Sequence, residues 1–348
     1  MKTFKIAHKT VGKDNPVFII AEMSCNHLQN YDYAVEIIKK AKKAGADAIK
    51  LQTYTPDTMT IDCNNRYFQL KDTIWEGKNL YRLYEEAYTP WEWQPKLKKI
   101  AEDEGLIFFS TPFDKTAVDF LEELEVPVYK LASYEITDIP LIKTIAQKQK
   151  PIIFSTGMAR LSDIELALDT MRENGATEIA MLKCVSAYPT PIEETNLKTI
   201  QNIDQTFDVI PGLSDHTMGI TVPVTAVPLG AKIIEKHMTL DRNLGGPDAK
   251  FSLEPQEFKE MVQSVRDAEK AIGKVTYELN EKQKRSRDMS RSIFAVKTIE
   301  KGEKLTVENT RVIRPGYGLH PKHFETIMGM KAKEKIERGT PLKWGNIE

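Results

Sequence analysis

The amino-acid sequence predicts an α/β protein: a (β/α)8 TIM barrel followed by a small second domain. Eight short apolar runs recur along the chain, mostly separated by helix-sized segments, which is the pattern of a closed parallel barrel. Nearly every run ends in a polar residue, as expected where strand ends carry an active site. No glycine-rich dinucleotide fingerprint follows the first run, which favours the barrel over a doubly wound open sheet.

The elements of the barrel follow in chain order. The first run is followed by an amphipathic helical pattern over residues 33–44, which Gly45 closes in the position favoured for a left-handed cap. A second amphipathic pattern predicts a helix over Pro255–Ile272. The predicted barrel strands cover residues 17–21, 48–52, 106–110, 126–132, 151–155, 178–182, 209–214 and 231–237.

A long insertion, residues 53–89, follows the second strand. It is polar and rich in aromatic residues, among them Tyr67, Phe68, Trp75, Tyr81, Tyr84 and Tyr88. A βα loop of this length is usually either functional or disordered. The aromatic content favours an ordered lid over the barrel mouth.

The C-terminal part of the chain has a different pattern. The charged segment 281–291 reads as a linker between a catalytic domain, 1–280, and a small domain, 292–348. Three short strands are predicted in the small domain, at residues 292–296, 303–305 and 310–313. A domain of this size is marginally stable alone, so we expect contacts with a partner to stabilise it.

Composition bounds the possible partners and the location. The chain has 348 residues, with 49 Lys plus Arg against 50 Asp plus Glu, so its net charge gives no reason to expect a nucleic acid or a membrane as partner. Three cysteines show neither a metal spacing nor a disulfide framework. With no apolar signal segment at the N-terminus and no run long enough to span a bilayer, the protein is expected in the cytoplasm.

Two lysines late in predicted strands are the strongest sign of an anion site. Lys50 ends the second strand together with Gln52, and Lys130 ends the fourth. A buried lysine needs a partner, and a neighbouring acid would be the ordinary one. Two lysines and several hydroxyls on one rim favour instead a small, multiply charged anion that carries phosphate and carboxylate.

Two histidines suggest a divalent metal. His216 and His237 end adjacent strands, so two imidazoles with Glu22 or Asp248 would form an open N/O site suited to Mn²⁺ or Mg²⁺. A hydrogen-bonded structural role for both histidines is the alternative. Asp248 lies in the turn 245–248 after the last strand. Its side chain either enters the site, or the segment is an ordinary turn without a functional role.

These motifs resemble the sialic acid synthase family, in order and over essentially the whole chain. The C-terminal segments 299–303 and 314–316 resemble the family's antifreeze-like (SAF, β-clip) domain. The barrel motifs that carry the resemblance are AEMSCNH (21–27), KLQTY (50–54), STPFD (110–114), YKLAS (129–133), STGM (155–158), CVSAYPTP (184–191), GLSDHT (212–217) and EKH (235–237).

Within the family, the insertion and the segment 245–255 most resemble the pseudaminic acid synthases. That resemblance implies condensation of phosphoenolpyruvate with 2,4-diacetamido-2,4,6-trideoxy-L-altrose and water, giving pseudaminic acid and phosphate by C–O cleavage. It also implies a divalent metal that polarises the sugar aldehyde, and a domain-swapped homodimer in which Arg314 reaches into the partner's barrel.

The resemblance also implies roles for individual residues. Glu22 would handle a proton or position water, and Asp248 would contact the sugar or a metal-bound water, while His216 and His237 bind the metal. Two positions depart from the branch that makes N-acetylneuraminate: Ser186 stands where an Asn serves phosphoenolpyruvate, and Ser290 where an aromatic residue meets the sugar. The residues implied to grip phosphoenolpyruvate are Lys50, Thr111, Lys130, Ser133, Ser155 and Ser214; Gln52, Glu135 and Tyr188 would line the pocket, with Ser186 beside them.

The sequence is also compatible with other products and other functions. The sugar product is alternatively N-acetylneuraminic or legionaminic acid. A metal-independent aldolase would use Lys50, Lys130 or Lys183 as a Schiff-base nucleophile. A non-catalytic carbohydrate-binding protein would make its contacts through the C-terminal domain.

Overall fold

The computed structural model describes residues 2–71 and 76–348 of the chain, and it divides into two compact units, Met1–Gly273 and Lys274–Glu348. A closed parallel barrel forms the first unit, with the last barrel strand paired to the first. The predicted TIM barrel is therefore confirmed. Its strands are β3 (Phe18–Glu22), β4 (Ala48–Thr53), β5 (Ile107–Pro112), β6 (Tyr129–Leu131), β7 (Ile152–Ser155), β8 (Ile179–Lys183), β9 (Ile210–Asp215) and β10 (Ile233–His237), which follow the N-terminal strands β1 (Thr3–Ile6) and β2 (Lys9–Gly12).

The longer helices, such as Tyr31–Ala44 and Pro255–Ile272, bury an apolar face against the barrel. The first helix begins at Asn30, whose side chain accepts hydrogen bonds from the backbone of Asp32 and Tyr33, and ends at Gly45 with a φ of 93°, the left-handed conformation that glycine adopts without strain. The helices of this unit are α1 (Tyr31–Ala44), α2 (Pro56–Met59), α3 (Leu80–Ala87), α4 (Gln94–Asp103), α5 (Lys115–Glu123), α6 (Ile139–Ala146), α7 (Leu161–Glu173), α8 (Thr199–Thr206), α9 (Thr221–Ala226) and α10 (Pro255–Ile272).

The antiparallel hairpin β1–β2 lies at the amino end of the barrel and was not predicted. A Cβ on Gly12 would lie 2.8 Å from the side chain of Ile210, the first residue of β9. Asp47, just before β4, contacts Lys9 of the hairpin and accepts a hydrogen bond from the backbone of Ile19 at 2.8 Å. The hairpin therefore caps the bottom of the barrel and leaves the opposite, carboxyl face for the site.

The second unit has a core of its own, built around Ile293, Leu305, Ile336 and Leu342. Its regular elements are α11 (Glu281–Ser286), β11 (Ser292–Ala295), β12 (Thr310–Ile313) and α12 (Phe324–Ile327), with β11 and β12 antiparallel. The prediction of a strand over 303–305 was wrong, because only an isolated bridge joins Lys304 to Lys331 there.

The segment predicted as a linker contains the helix α11, which Asn280 caps by accepting a hydrogen bond from the backbone of Gln283. Within the described parts of the chain, no helix has both the length and the apolar character needed to cross a membrane.

Candidate active site

A cavity of about 380 Å³ opens at the carboxyl ends of the barrel strands. Its floor is polar, and most of the residues that the sequence singled out line it. These are Glu22, Lys50, Gln52, Lys130, Ser133, Glu135, Ser155, Tyr188, Ser214, His216, His237 and Asp248. The even spacing of Lys50 with Gln52, and of Glu235 with His237, explains why each pair faces the same interior.

Lys50 forms the centre of a buried charge cluster. Its Nζ lies 3.0 Å from Glu22 Oε2, 3.3 Å from Glu235 Oε2 and 3.2 Å from Thr111 Oγ1. Burial raises the pKa of Glu22 to about 7, although Lys50 opposes this shift. Burial would lower the pKa of Lys50, but the carboxylates of Glu22 and Glu235 outweigh it and leave that pKa raised. The cluster therefore holds a charged lysine beside a carboxyl that burial makes easier to protonate.

A second lysine lies on the floor beside hydroxyl groups. Lys130 is 1% exposed and donates to Ser155 Oγ at 2.7 Å. Burial lowers the pKa of Lys130 to about 8. Next to it, the backbone N–H of Gly157 donates to Ser133 Oγ at 2.9 Å. A Cβ at position 157 would lie 2.2 Å from Ser186 Oγ, so the close approach of these groups requires glycine there.

His216 and His237 face each other with ring centroids 5.2 Å apart. His216 Nδ1 lies 3.1 Å from the carbonyl of Val185, an arrangement that orients the ring and, in the neutral imidazole, leaves Nε2 free to bind a metal. His237 Nδ1 is buried and has no hydrogen-bond partner in the described chain. Burial lowers the pKa of His237 well below its ordinary value, so this imidazole is neutral, as a metal ligand must be.

The donor set of this pair fits a divalent metal of the Mn²⁺ or Mg²⁺ kind that also takes oxygen ligands from substrate and water. Among the described residues, no group of three or more His, Cys, Asp or Glu side chains is arranged to hold an ion. The carboxylates considered as a third ligand are engaged elsewhere: Glu22 with Lys50, and Asp248 with Ser24. The two imidazoles are thus the protein ligands that the geometry offers.

Asp248 enters the cavity from the glycine-rich turn after β10. Its Oδ2 accepts from Ser24 Oγ at 2.5 Å and lies 3.6 Å from His237 Nδ1. Gln52 Nε2 bridges the same region, donating to Ser24 Oγ and Glu22 Oε1, each at 3.0 Å. Burial raises the pKa of Asp248. Asp248 and Glu22 are therefore carboxyls of the cavity lining that can hold or release a proton.

The insertion closes one side of the cavity. Tyr54 follows β4 and packs edge-on against Tyr84 of α3, with ring centroids 5.6 Å apart, and against Phe113 at 5.2 Å. Met59, Leu70, Leu80 and Leu83 line the same side. These contacts come from the described parts of the insertion, residues 53–71 and 76–89, and the predicted Trp75 lies outside the described residues.

Several predicted residues lie away from the cavity lining. Thr111 accepts a hydrogen bond from Lys50, and the Ser186 hydroxyl lies close to Gly157, but neither residue lines the cavity. Lys183, a candidate Schiff-base residue, does not line this cavity and donates to the carbonyl of Cys184. Arg314 and Ser290 belong to the second unit.

Sequence reasoning missed Ser24 and the apolar lining of the insertion, and it did not assign Glu235 a role. The alternation with His237 was the available signal for Glu235. The spacing of Leu80, Leu83, Tyr84 and Ala87, one face of a helix, was the signal for α3.

The fold and the site define an enzyme of the (β/α)8-barrel class, with its reactive groups at the carboxyl face. Comparison with known proteins gives the family. Residues 37–277 match the NeuB family and residues 290–348 match the SAF domain, so the chain belongs to the NeuB family.

Curated relatives and a solved structure agree with this assignment. The pseudaminic acid synthase of Campylobacter jejuni subsp. jejuni serotype O:2 is 44% identical, covering 96% of this chain and 98% of the relative. The pseudaminic acid synthase of Helicobacter pylori is 42% identical, covering 96% of this chain and 98% of the relative. The crystal structure of N-acetylneuraminic acid synthetase from Leptospira borgpetersenii, in complex with citrate, has a TM-score of 0.73 and 32% identity over 82% of this chain and 95% of that one.

Proposed function

We propose that this enzyme condenses phosphoenolpyruvate with 2,4-diacetamido-2,4,6-trideoxy-L-altrose and water, giving pseudaminic acid and phosphate. One observation carries the proposal: two buried lysines with their hydroxyl partners share a single cavity with the facing pair His216 and His237. The similarity to pseudaminic acid synthases along nearly the whole chain supports the choice of sugar.

The floor of the cavity suits the donor. Phosphoenolpyruvate carries a phosphate and a carboxylate, and Lys50 and Lys130 supply two cationic groups for them. Ser133, Ser155 and Ser214 add hydroxyl donors. Protonation of Glu22, whose pKa lies at about 7, would free Lys50 from one of its two carboxylate partners and make the floor more positive when the anion binds.

The remaining groups suit the acceptor. His216 and His237 would hold the divalent metal, which when bound polarises the aldehyde oxygen of the sugar. The protein places that aldehyde above the donor, so that the methylene carbon of phosphoenolpyruvate forms a bond to the aldehyde carbon. Asp248 or Glu22 delivers the proton that the new alkoxide takes up.

The second half of the reaction releases phosphate. Water adds to the oxocarbenium carbon that carries the phosphate ester, and the C–O bond to phosphate then breaks, leaving the keto carbon of the product. Once Glu22 has given its proton to the alkoxide, its carboxylate can take a proton from that water, since it lies on the cavity floor beside Lys50. Gln52, Glu135 and Tyr188, on the cavity lining, would orient the sugar.

The proposal includes a homodimer in which Arg314 of each chain completes the sugar site of its partner. It rests on the resemblance to the family and on the SAF match that contains Arg314. Because the proposed donor is an intracellular metabolite, the proposal places the enzyme in the cytoplasm.

Phosphate release from phosphoenolpyruvate, with the sugar present, tests the proposal. The variant His237→Ala should lose turnover by at least about 100-fold, since it removes a ligand of the Lewis acid, while the circular dichroism spectrum stays unchanged. His8→Ala, which alters an exposed histidine, is the matched control. Undiminished turnover in His237→Ala would exclude the metal role. Borohydride trapping of pyruvate on a lysine would favour the aldolase instead.

A further inference from the structure

Apolar side chains of the insertion form a wall on one side of the cavity, away from its charged floor. We use "apolar wall" for Met59, Leu70, Leu80 and Leu83, which all line the cavity. Leu83 is 7% exposed, while the others are half-buried. The wall arises from the sequence because Leu80 and Leu83 lie three residues apart, on one face of α3.

Specific contacts hold the wall in place. Asn79 caps α3 by accepting from the backbone of Arg82 at 2.8 Å, and its amide donates to Asn64 Oδ1 at 2.6 Å. The backbone N–H of Leu70 donates to the carbonyl of Lys78 at 3.0 Å. At the end of the insertion, Gln29 donates to the carbonyl of Tyr88 at 2.5 Å. Contacts within the insertion thus hold the apolar side chains together, and its C-terminal end is bound to Gln29 of the first βα loop.

The geometry of the proposed reaction determines which end of the sugar lies next to the apolar wall. The aldehyde carbon must reach the donor at the floor, beside Lys50 and the two histidines, so the far end of the open-chain sugar points away from the charged groups. The four side chains of the apolar wall bound that remaining space and carry no hydroxyl or amide, although the neighbouring Tyr54 and Tyr84 do carry hydroxyls. A methyl group gains from burial there, whereas a hydroxyl loses its water and finds no partner on these four side chains.

We propose that the apolar wall, chiefly through Leu83 and Met59, contacts the terminal methyl group of the acceptor, and that these side chains set the preference for a methyl over a hydroxymethyl group at that carbon. This inference rests on the proposed function and assigns its selectivity to particular residues. A hydrophobic pocket rejects an analogue that adds one hydroxyl by about 10- to 100-fold, and the wall is expected to discriminate within that range.

Paired acceptors that differ only in the terminal hydroxyl test the inference. The kcat/KM of phosphate release is measured for 2,4-diacetamido-2,4,6-trideoxy-L-altrose and for its 6-hydroxy analogue. The unaltered enzyme should prefer the deoxy sugar by at least about 10-fold. Leu83→Asn, of similar size, should reduce that ratio at least about 5-fold by offering the hydroxyl a partner. Leu166→Asn, which alters a leucine that is 54% exposed on α7, should leave the ratio unchanged.

A second variant covers the case in which Leu83→Asn disturbs α3. Met59→Gln alters a half-buried wall residue at the end of α2, and the same fall in ratio is expected. Turnover of both sugars at equal kcat/KM, or a ratio that neither variant changes, would overturn the role of the wall and leave the proposed reaction standing. If neither sugar supports phosphate release, both proposals are overturned.

Discussion

A buried ion pair behind the histidines offers a sharp test of how the site is held. Lys236 is fully buried, and its Nζ lies 2.6 Å from Asp215 Oδ2 and contacts the carbonyl of Thr217. Asp215 and Lys236 are register partners on β9 and β10, and each precedes a candidate metal ligand in the chain. The pair therefore joins the two strands that carry His216 and His237.

Lys236→Met should destabilise the barrel by about 3 kcal/mol. Breaking a buried pair costs about 3–5 kcal/mol because one charge is left without a partner. Asp215 still accepts from the backbone and hydroxyl of Thr217, at 3.0 and 3.1 Å, so we expect the lower end of that range. For a domain of this size, the shift corresponds to a fall in Tm of about 6–12 °C.

The assay is thermal unfolding followed by circular dichroism, with Lys115→Met as the control. Lys115 pairs with Asp119 at 2.5 Å, but the side chains are 72% and 46% exposed, and removing such a pair costs less than about 1 kcal/mol. The kcat of Lys236→Met, measured well below its Tm, should also fall because the histidines lose their alignment. A Tm within about 2 °C of the unaltered enzyme, with kcat retained, would refute the reasoning.

Two further predictions concern pH and assembly. Burial raises the pKa of Glu135 from 4.5 to about 7, so the folded state holds this proton more tightly than the unfolded chain and loses up to about 3 kcal/mol as pH rises through that window. Glu135→Gln should lack this contribution, while Glu22, whose pKa is also raised, keeps its own; unfolding free energies that run parallel in the two proteins between pH 4.5 and 8 would contradict this. Arg314→Ala should raise the sugar KM by about 10-fold or more, as loss of a charged contact does. Mixing it with His237→Ala chains should restore the low sugar KM if Arg314 acts on the partner's barrel, and an unchanged high KM in confirmed mixed dimers would count against it.

Much of the barrel could be predicted because its strands are apolar runs of characteristic length. The helix Pro255–Ile272 also has the predicted bounds, since its stripe is long and regular. The hairpin β1–β2 escaped prediction because its strands are only four residues each and carry lysines on the exposed side. The helix α11 had a signal in its cap, Asn280 with Gln283, but its high charge resembled a linker.

The site could be predicted only in part, and the reason is geometric. The alternation of side chains near the end of a strand indicates which of them face the barrel interior. Lys50, Lys130 and His237 could therefore be placed on one rim of the barrel. The pairing of Lys50 with Glu235 depends on how the barrel closes, which local patterns do not contain. The apolar wall depends on how a long insertion folds back, and the pattern of α3 alone does not say what it faces.

The register that joins the last strand to the first has a consequence for how the enzyme matures. Glu22 and His237 are direct neighbours across that seam, although more than two hundred positions separate them along the chain. Until β10 has been synthesised, a nascent chain contains Lys50 without its partner Glu235, and His216 without His237. Turnover is therefore a property of the finished barrel, and a chain truncated before residue 233 is expected to retain none of it.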